Sequence, residues 1–326
     1  MSTVTFREAL IRAMGDALEE DERVFLFGED VAAAGGSFKL TEGLLERFGP
    51  KRVRDTPISE QAIIGTAIGS AVMGLRPLAE IMFADFAAVC FDGIANEIPK
   101  YRYMTGGQVT LPITLRMCNG AGGGFGAQHS QSVENWFLNV PGLKLVVPAT
   151  PADAYGLLRS AVRDPNPVLF FEHKGLYRVK GEVPDDPEFL VPFGVAAVRR
   201  RGDALTVIAT GMMVDRTLAA ADVLAREGHE VEVIDPRTLV PLDMETILES
   251  VQRTGRAMIV HEAVRTAGAG AEIASRIHEE LFFALDAPVW RLGAIDTPIP
   301  QDPELEQLCI PQVPGIVEAM RGLIAL

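Results

Sequence analysis

Five short runs of this sequence are largely apolar and show no alternation: Val24–Glu29 (VFLFGE), Leu78–Phe83, Leu111–Met117, Leu143–Pro148 and Val168–Glu172. A strand with one wet face alternates apolar and polar residues. Strands without that alternation must be covered on both faces, as in a parallel sheet flanked by helices. Helical windows fall between the runs, at Glu60–Leu75, Asp85–Met104 and Pro151–Asp164. The pattern then repeats. Ala204–Gly211 reads as a strand, Asp215–Gly228 as a helix, Val231–Pro236 as a strand and Leu242–Gly255 as a helix. A strand over Ala257–Glu262, a helix over Ala271–Leu285 and a strand over Pro288–Gly293 complete it.

Between the two patterns lies Gly181–Phe193 (GEVPDDPEFLVPF), which carries Pro184, Pro187 and Pro192 in an acidic cluster and reads as a connector. The expectation is an α/β chain of two domains, 1–185 and 186–326. Its formal charge of −14 argues against nucleic acid or an anionic membrane surface as the main partner. Cys90, Cys118 and Cys309 have no metal or disulfide spacing, so buried, reduced thiols are expected. The charged, amphipathic start lacks the look of a secretory signal, and no apolar stretch is long enough to span a bilayer. A cytoplasmic protein is the expectation.

Several segments carry candidate chemistry. Asn119–Gly126 (NGAGGGFG) follows a strand, and Gly122, Gly124 and Ala127 fit G-x-G-x-x-A. The next strand offers no acid for a ribose hydroxyl, so close backbone approach or a turn is favoured over a dinucleotide site. His129, in QHSQ after this loop, suits acid–base work as well as a structural role. Glu60, in DTPISE, sits where a helix begins; Ser59 is a reasonable N-cap, and the helix dipole alone would favour an acid there. Gly65 and Gly69, amid Ala62, Ala67 and Ala71, make a small-residue face that another helix or subunit can approach closely. Glu29 and Asp30 end a strand, where α/β proteins place ligands. His173, His229, His261 and His278 show no metal-ligand spacing.

Taken together, FLFGEDV at 25–31, RVRDTPISEQAIIG at 52–65, GLRPLAEIMFADF at 74–86, GAQHSQS at 126–132, PGLKLVVPATPADAYGLL at 141–158, RDPNPVLFFEHKGLY at 163–177 and VIDPRTLVPLDMETI at 233–247 closely resemble one family. It is the β subunit of thiamine-diphosphate-dependent E1 enzymes of 2-oxo-acid (pyruvate-type) and acetoin dehydrogenase complexes. The resemblance implies a transketolase-like pyrimidine-binding domain followed by a transketolase C-terminal-type domain. It implies that Glu60 hydrogen-bonds the cofactor's pyrimidine N1′, favouring the imino tautomer that takes the thiazolium C2 proton. Phe86 matches the aromatic packed on the pyrimidine, Glu29 the acid between two cofactor sites, and His129 the active-site histidine. Potassium is implied near Ile113, Ala161, Val162, Asp164 and Asn166, three of them through backbone carbonyls.

A diphosphate- and Mg²⁺-binding Gly-Asp-Gly is absent from the chain. The resemblance therefore implies an α subunit that brings that half, in an α₂β₂ oxidoreductase, and an E2 lipoyl acyltransferase that accepts the acyl group. GAQHSQS with Trp136, and FFEHKGLY, resemble pyruvate and acetoin members more than branched-chain 2-oxo-acid ones, with acetoin slightly favoured. Glu245, Glu249, Glu304 and Glu306 offer acids for a basic E2 surface or ordinary solvated charge. Two rivals are a single-chain transketolase-like enzyme and a non-catalytic two-domain binding subunit.

Overall fold

The computed structural model describes residues 1–326, which divide into two compact units. One comprises Met1–Asn119 and Asn139–Phe193; the other comprises Gly120–Leu138 and Gly194–Leu326. The chain thus leaves the first unit after Asn119 and returns to it at Asn139. No helix is long and apolar enough to cross a membrane.

The first unit contains β1 (Ser2–Thr5), α1 (Phe6–Glu20), β2 (Val24–Gly28), α2 (Leu44–Phe48), β3 (Val53–Asp55), α3 (Glu60–Val72) and β4 (Arg76–Ile81). It continues with α4 (Tyr101–Met104), β5 (Thr114–Asn119), β6 (Lys144–Val146), α5 (Pro151–Arg163), β7 (Val168–His173) and β8 (Lys180–Val183). Its sheet runs β6-β7-β5-β4-β2-β3, parallel throughout. Every residue of β2, β5 and β7 is buried, as two covered faces require. Local chemistry fixes the helix starts. At α1, Thr5 accepts from the Glu8 amide while the Glu8 carboxylate accepts from the Thr5 amide, a capping box. At α5, Thr150 caps and Pro151 follows.

Two expectations fail here. Asp85–Met104 is not one helix but a 3₁₀ turn over Ala84–Ala88, a π turn over Gly93–Glu97 and α4. Pro99 has no amide to continue a helix, and Gly93 packs so tightly that a Cβ would lie 2.5 Å from Ile64 Cγ2. The connector begins as β8, which pairs antiparallel with β1 in a separate two-stranded sheet.

Inside the parallel sheet lies a buried ionic cluster. Arg116 on β5 stands opposite Glu80 on β4 and donates to its Oε2 at 2.8 Å. It also grips Glu172 on β7 with two bonds, of 2.5 and 3.0 Å, and Tyr177 donates to Glu172 at 3.1 Å. Burial pushes the Glu80 carboxyl up, against the pull of Arg116.

The second unit contains β9 (Ala197–Arg200), β10 (Leu205–Ala209), α6 (Met212–Arg226), β11 (Val231–Asp235), β12 (Thr238–Val240) and α7 (Met244–Thr254). Then come β13 (Ala257–Val264), α8 (Ala269–Leu281), β14 (Trp290–Ala294), α9 (Pro303–Cys309) and α10 (Val313–Ile324). Its sheet runs β14-β13-β10-β11-β9, parallel except for β9. The core packs Ile208, Ile234 and Ile259 of the sheet against Ile247 and Val251 of α7 and Ile273 and Ile277 of α8. His261 on β13 is fully buried in a cradle of glycines. A Cβ on Gly268, Gly270 or Gly293 would come within 2.5–2.9 Å of its ring. Nδ1 lies 3.0 Å from the Ala263 carbonyl, Nε2 has no partner, and burial depresses the pKa to about 4.

Removing Arg116 strands two buried carboxylates. Arg116→Met should therefore cost about 3–5 kcal/mol in denaturant unfolding; a cost below 1 kcal/mol would show that the cluster contributes little. For His261, the unfolded imidazole takes a proton near pH 6.5 and the folded one only near 4. Stability is complete above about 6.5 and falls as the pH drops from there to about 4. His261→Asn should flatten that stretch of a Tm–pH curve; an unchanged slope would exclude His261 as its source.

Candidate functional site

The carboxyl ends of the parallel strands in the first unit gather the acids. Glu29 directly follows β2, and Glu60 opens α3, where the helix dipole favours a carboxylate. Ser59 occupies the N-cap position but makes no capping bond, contrary to expectation. The Glu60 side chain is buried. Glu29 Oε1 is also buried, and it is unpartnered. Burial, then Glu60, then Asp30 push the Glu29 carboxyl above its usual range. Glu60 also helps burial push the Cys90 thiol up to about 12, so that cysteine is a neutral packing group.

Backbone contacts hold this acid pair in place. The Thr56 amide donates to the Gly28 carbonyl at 2.9 Å, joining the segment before α3 to the end of β2. Asp55 accepts from the amides of Ala32 and Ala33, at 2.7 and 3.1 Å, and so fixes the loop after Glu29. The sequence reading missed Asp55, although it stands in DTPISE. Phe86 lies half-buried on the 3₁₀ turn after β4. Nearby, Lys174 sits 5.0 Å over the ring of Phe83, which stands edge-on to Phe38.

Ile113, Ala161, Val162, Asp164 and Asn166 cluster where α5 ends and β7 begins, and their oxygens have partners within the protein. Ile113 and Ala161 carbonyls accept from the amides of Val168 and Asp164. The Val162 carbonyl accepts from Arg76 at 2.8 Å. Asp164 pairs with Lys144 and accepts from the Asn166 amide, while the Asn166 carbonyl accepts from Arg102. The set is oxygen-rich, as a hard cation needs. An ion there must share these oxygens or displace Lys144.

His129 belongs to the second unit, on the glycine-rich segment. Its amide donates to the Gly126 carbonyl, and the Gly120 amide donates to Gln131, so the segment closes on itself. Gly120, Gly122, Gly123, Gly124 and Gly126 all have positive φ. Their amides do not await a nucleotide. Gly122 donates to Glu306 Oε1 at 2.9 Å; Gly123 and Gly124 donate to its Oε2 at 3.2 and 3.3 Å. Ala121 donates to Glu262 at 2.6 Å. Glu306 is therefore a buried structural acid and not available to a basic partner, unlike the exposed Glu245, Glu249 and Glu304.

The acid pair tests well against the expected cofactor. Glu29 Oε1 is a buried oxygen without a donor, beside the buried acid Glu60, and a pyrimidine ring nitrogen that carries a proton is a donor that suits such a carboxylate. Comparison with known proteins identifies the family. Residues 2–180 match the transketolase pyrimidine-binding domain and residues 194–316 the transketolase C-terminal domain. The chain is 43% identical, over 99% of its length and 70% of the relative's, to the pyruvate dehydrogenase E1 component subunit beta of Rhizobium meliloti. It is 45% identical, over 99% of both chains, to the 2-oxoisovalerate dehydrogenase subunit beta of Bacillus subtilis. The acetoin:2,6-dichlorophenolindophenol oxidoreductase subunit beta of Bacillus subtilis is 43% identical over 98% of this chain and 97% of its own. A solved split-gene transketolase, described as an inactive beta4 tetramer, superposes with a TM-score of 0.82 at 25% identity over 99% of both chains. Whole-chain likeness does not rank the substrates, because the branched-chain relative is as similar as the other two. Both domains and relatives matched along their length make this chain a member of the E1 β subunits of the thiamine-diphosphate-dependent pyruvate, branched-chain 2-oxo-acid and acetoin dehydrogenases.

Proposed function

We propose that the chain, joined to an α subunit, cleaves acetoin or decarboxylates pyruvate and passes the acetyl unit to the lipoyl group of an E2 acyltransferase. The observation that carries this is the acid pair at the strand ends: Glu60 is buried, and beside it Glu29 keeps its Oε1 buried and unpartnered. Thiamine diphosphate, when bound, supplies the electron sink for the C–C cleavage. Glu60 accepts the hydrogen bond at pyrimidine N1′, and Phe86 packs on that ring. Glu29, whose carboxyl is pushed up by burial and by Glu60, is suited to hold a proton beside it. His129 serves the substrate side, as a hydrogen-bond donor or proton carrier.

The diphosphate and Mg²⁺ fall to the α subunit, since the Gly-Asp-Gly motif for them is not in this sequence. The face of α3 supports an assembly. Ala67 and Ala71 turn into the unit's own core, whereas Ala62, Gly65 and Gly69 are exposed and no neighbour lies within 4 Å of a Cβ built on either glycine, so that stripe is open to another chain. A potassium ion at Ile113, Ala161, Val162, Asp164 and Asn166 would compete with Lys144 for Asp164. A branched 2-oxo acid is the second substrate reading, since the 2-oxoisovalerate relative is as similar to this chain as the pyruvate and acetoin ones.

The decisive assay is cofactor-dependent reduction of an artificial acceptor by the co-purified α–β enzyme on acetoin, pyruvate and a branched 2-oxo acid. Turnover should appear on one of them and fall at least ~100-fold in Glu60→Ala, the usual scale for losing a proton-handling group. Turnover unaffected by Glu60→Ala would remove that residue from the mechanism. The chain alone should show little Mg²⁺-dependent binding of thiamine diphosphate by calorimetry. Tight binding without the α subunit would contradict the divided site.

A further inference from the structure

The glycine-rich segment gives His129 no rigid element to stand on. Residues 120–126 contain five glycines with positive φ, the backbone with the most freedom to lose on folding. Two buried carboxylates from distant parts of the sequence remove that freedom. Glu306, 1% exposed, collects three successive amides, from Gly122, Gly123 and Gly124. Glu262 collects the Ala121 amide and, at 3.3 Å, the Ser132 hydroxyl. The clamp therefore grips the segment before His129 with one acid, and on both sides of it with the other. The fit is close: a Cβ on Gly124 would lie 2.8 Å from the Gln301 carbonyl, and one on Gly123 would lie 2.5 Å from the Phe125 ring. An arrangement of consecutive amides that elsewhere cradles an anionic ligand is filled here by the protein's own carboxylate.

The geometry points to Glu306 and Glu262 as positioning residues for His129. Neither touches substrate; they set where the imidazole stands by fixing the backbone that carries it. This rests on the role given to His129 above. A carboxylate is required at 306 because both of its oxygens face N–H donors. Glutamine there would turn an NH₂ group toward one set of amides and lose those bonds.

Two readouts on the assembled α–β enzyme test this. Hydrogen exchange should rise at least about tenfold across residues 120–132 in Glu306→Gln, while peptides from β10 and β13 stay protected. Turnover should fall about 10- to 100-fold in Glu306→Gln, but less than twofold when the same change is made in a His129→Ala background. An arginine-cluster or core defect would instead add its loss in either background. Unchanged exchange at 120–132 would overturn the clamp. Equal losses in both backgrounds would overturn its action through His129. If the unmodified enzyme turned over none of the substrates, the functional reading would fail, and the exchange result would still decide the clamp.

Discussion

Arg116, enclosed between Glu80 and Glu172, is the interaction on which the first unit depends. Three strands of the parallel sheet, β4, β5 and β7, each contribute one member. A single cation shared by two carboxylates in the interior is tolerable only while every bond is made. The cluster also sets the electrostatic background for the strand ends. Glu29 helps raise the Glu80 carboxyl, so the acid beside the cofactor site sits within reach of a cluster that already carries an excess of negative charge. Adding Glu60 makes full ionisation more costly still. The same repulsion raises the Glu29 carboxyl, which connects the packing of the sheet to the electrostatics of the acid pair.

The second unit solves a related problem in the opposite way. Its critical backbone is not a strand but a string of glycines, and the acids that hold it bind backbone amides. Glu306 and Glu262 are satisfied by amide N–H groups. Hydrogen bonds to a charged acceptor are stronger than neutral ones, and Arg216 adds a positive charge near both acids. The amide bonds also spend the segment's donors on the protein itself, which is why the G-x-G-x-x-A spacing is not a nucleotide loop.

Much of this was legible in the sequence. Unalternating apolar runs give buried parallel strands because the physics of two covered faces is local to each run. DTPISE and FLFGED stand out because an acid at a strand end or helix start has a recognisable neighbourhood. The breaks in the 85–104 region were less visible: Gly93 matters only because Ile64 lies against it. Ser59 looked like a cap from its position and residue type, yet its hydroxyl makes no capping bond. Glu306 was misread for a similar reason. It sits among Asp302, Glu304 and other polar residues on a short helix, and nothing in that stretch says that one carboxylate turns inward to a loop some 180 positions earlier.

The substrate is hidden at a deeper level. Each chemical role proposed for the chain is one that several substrates share: a partner for a pyrimidine nitrogen, a held proton, a fixed imidazole. Acetoin cleavage and pyruvate decarboxylation both deliver a two-carbon fragment to the same cofactor, and a branched acid delivers a longer one. The residues that distinguish them are those that measure fragment size, and in a divided enzyme the second chain contributes to that wall. An unpartnered Glu29 oxygen beside Glu60, an exposed glycine stripe on α3 and a missing diphosphate motif are all consistent with the divided site proposed above. On the proposed reading, this chain prepares one half of a cofactor for reaction, and selectivity belongs to the assembled pair.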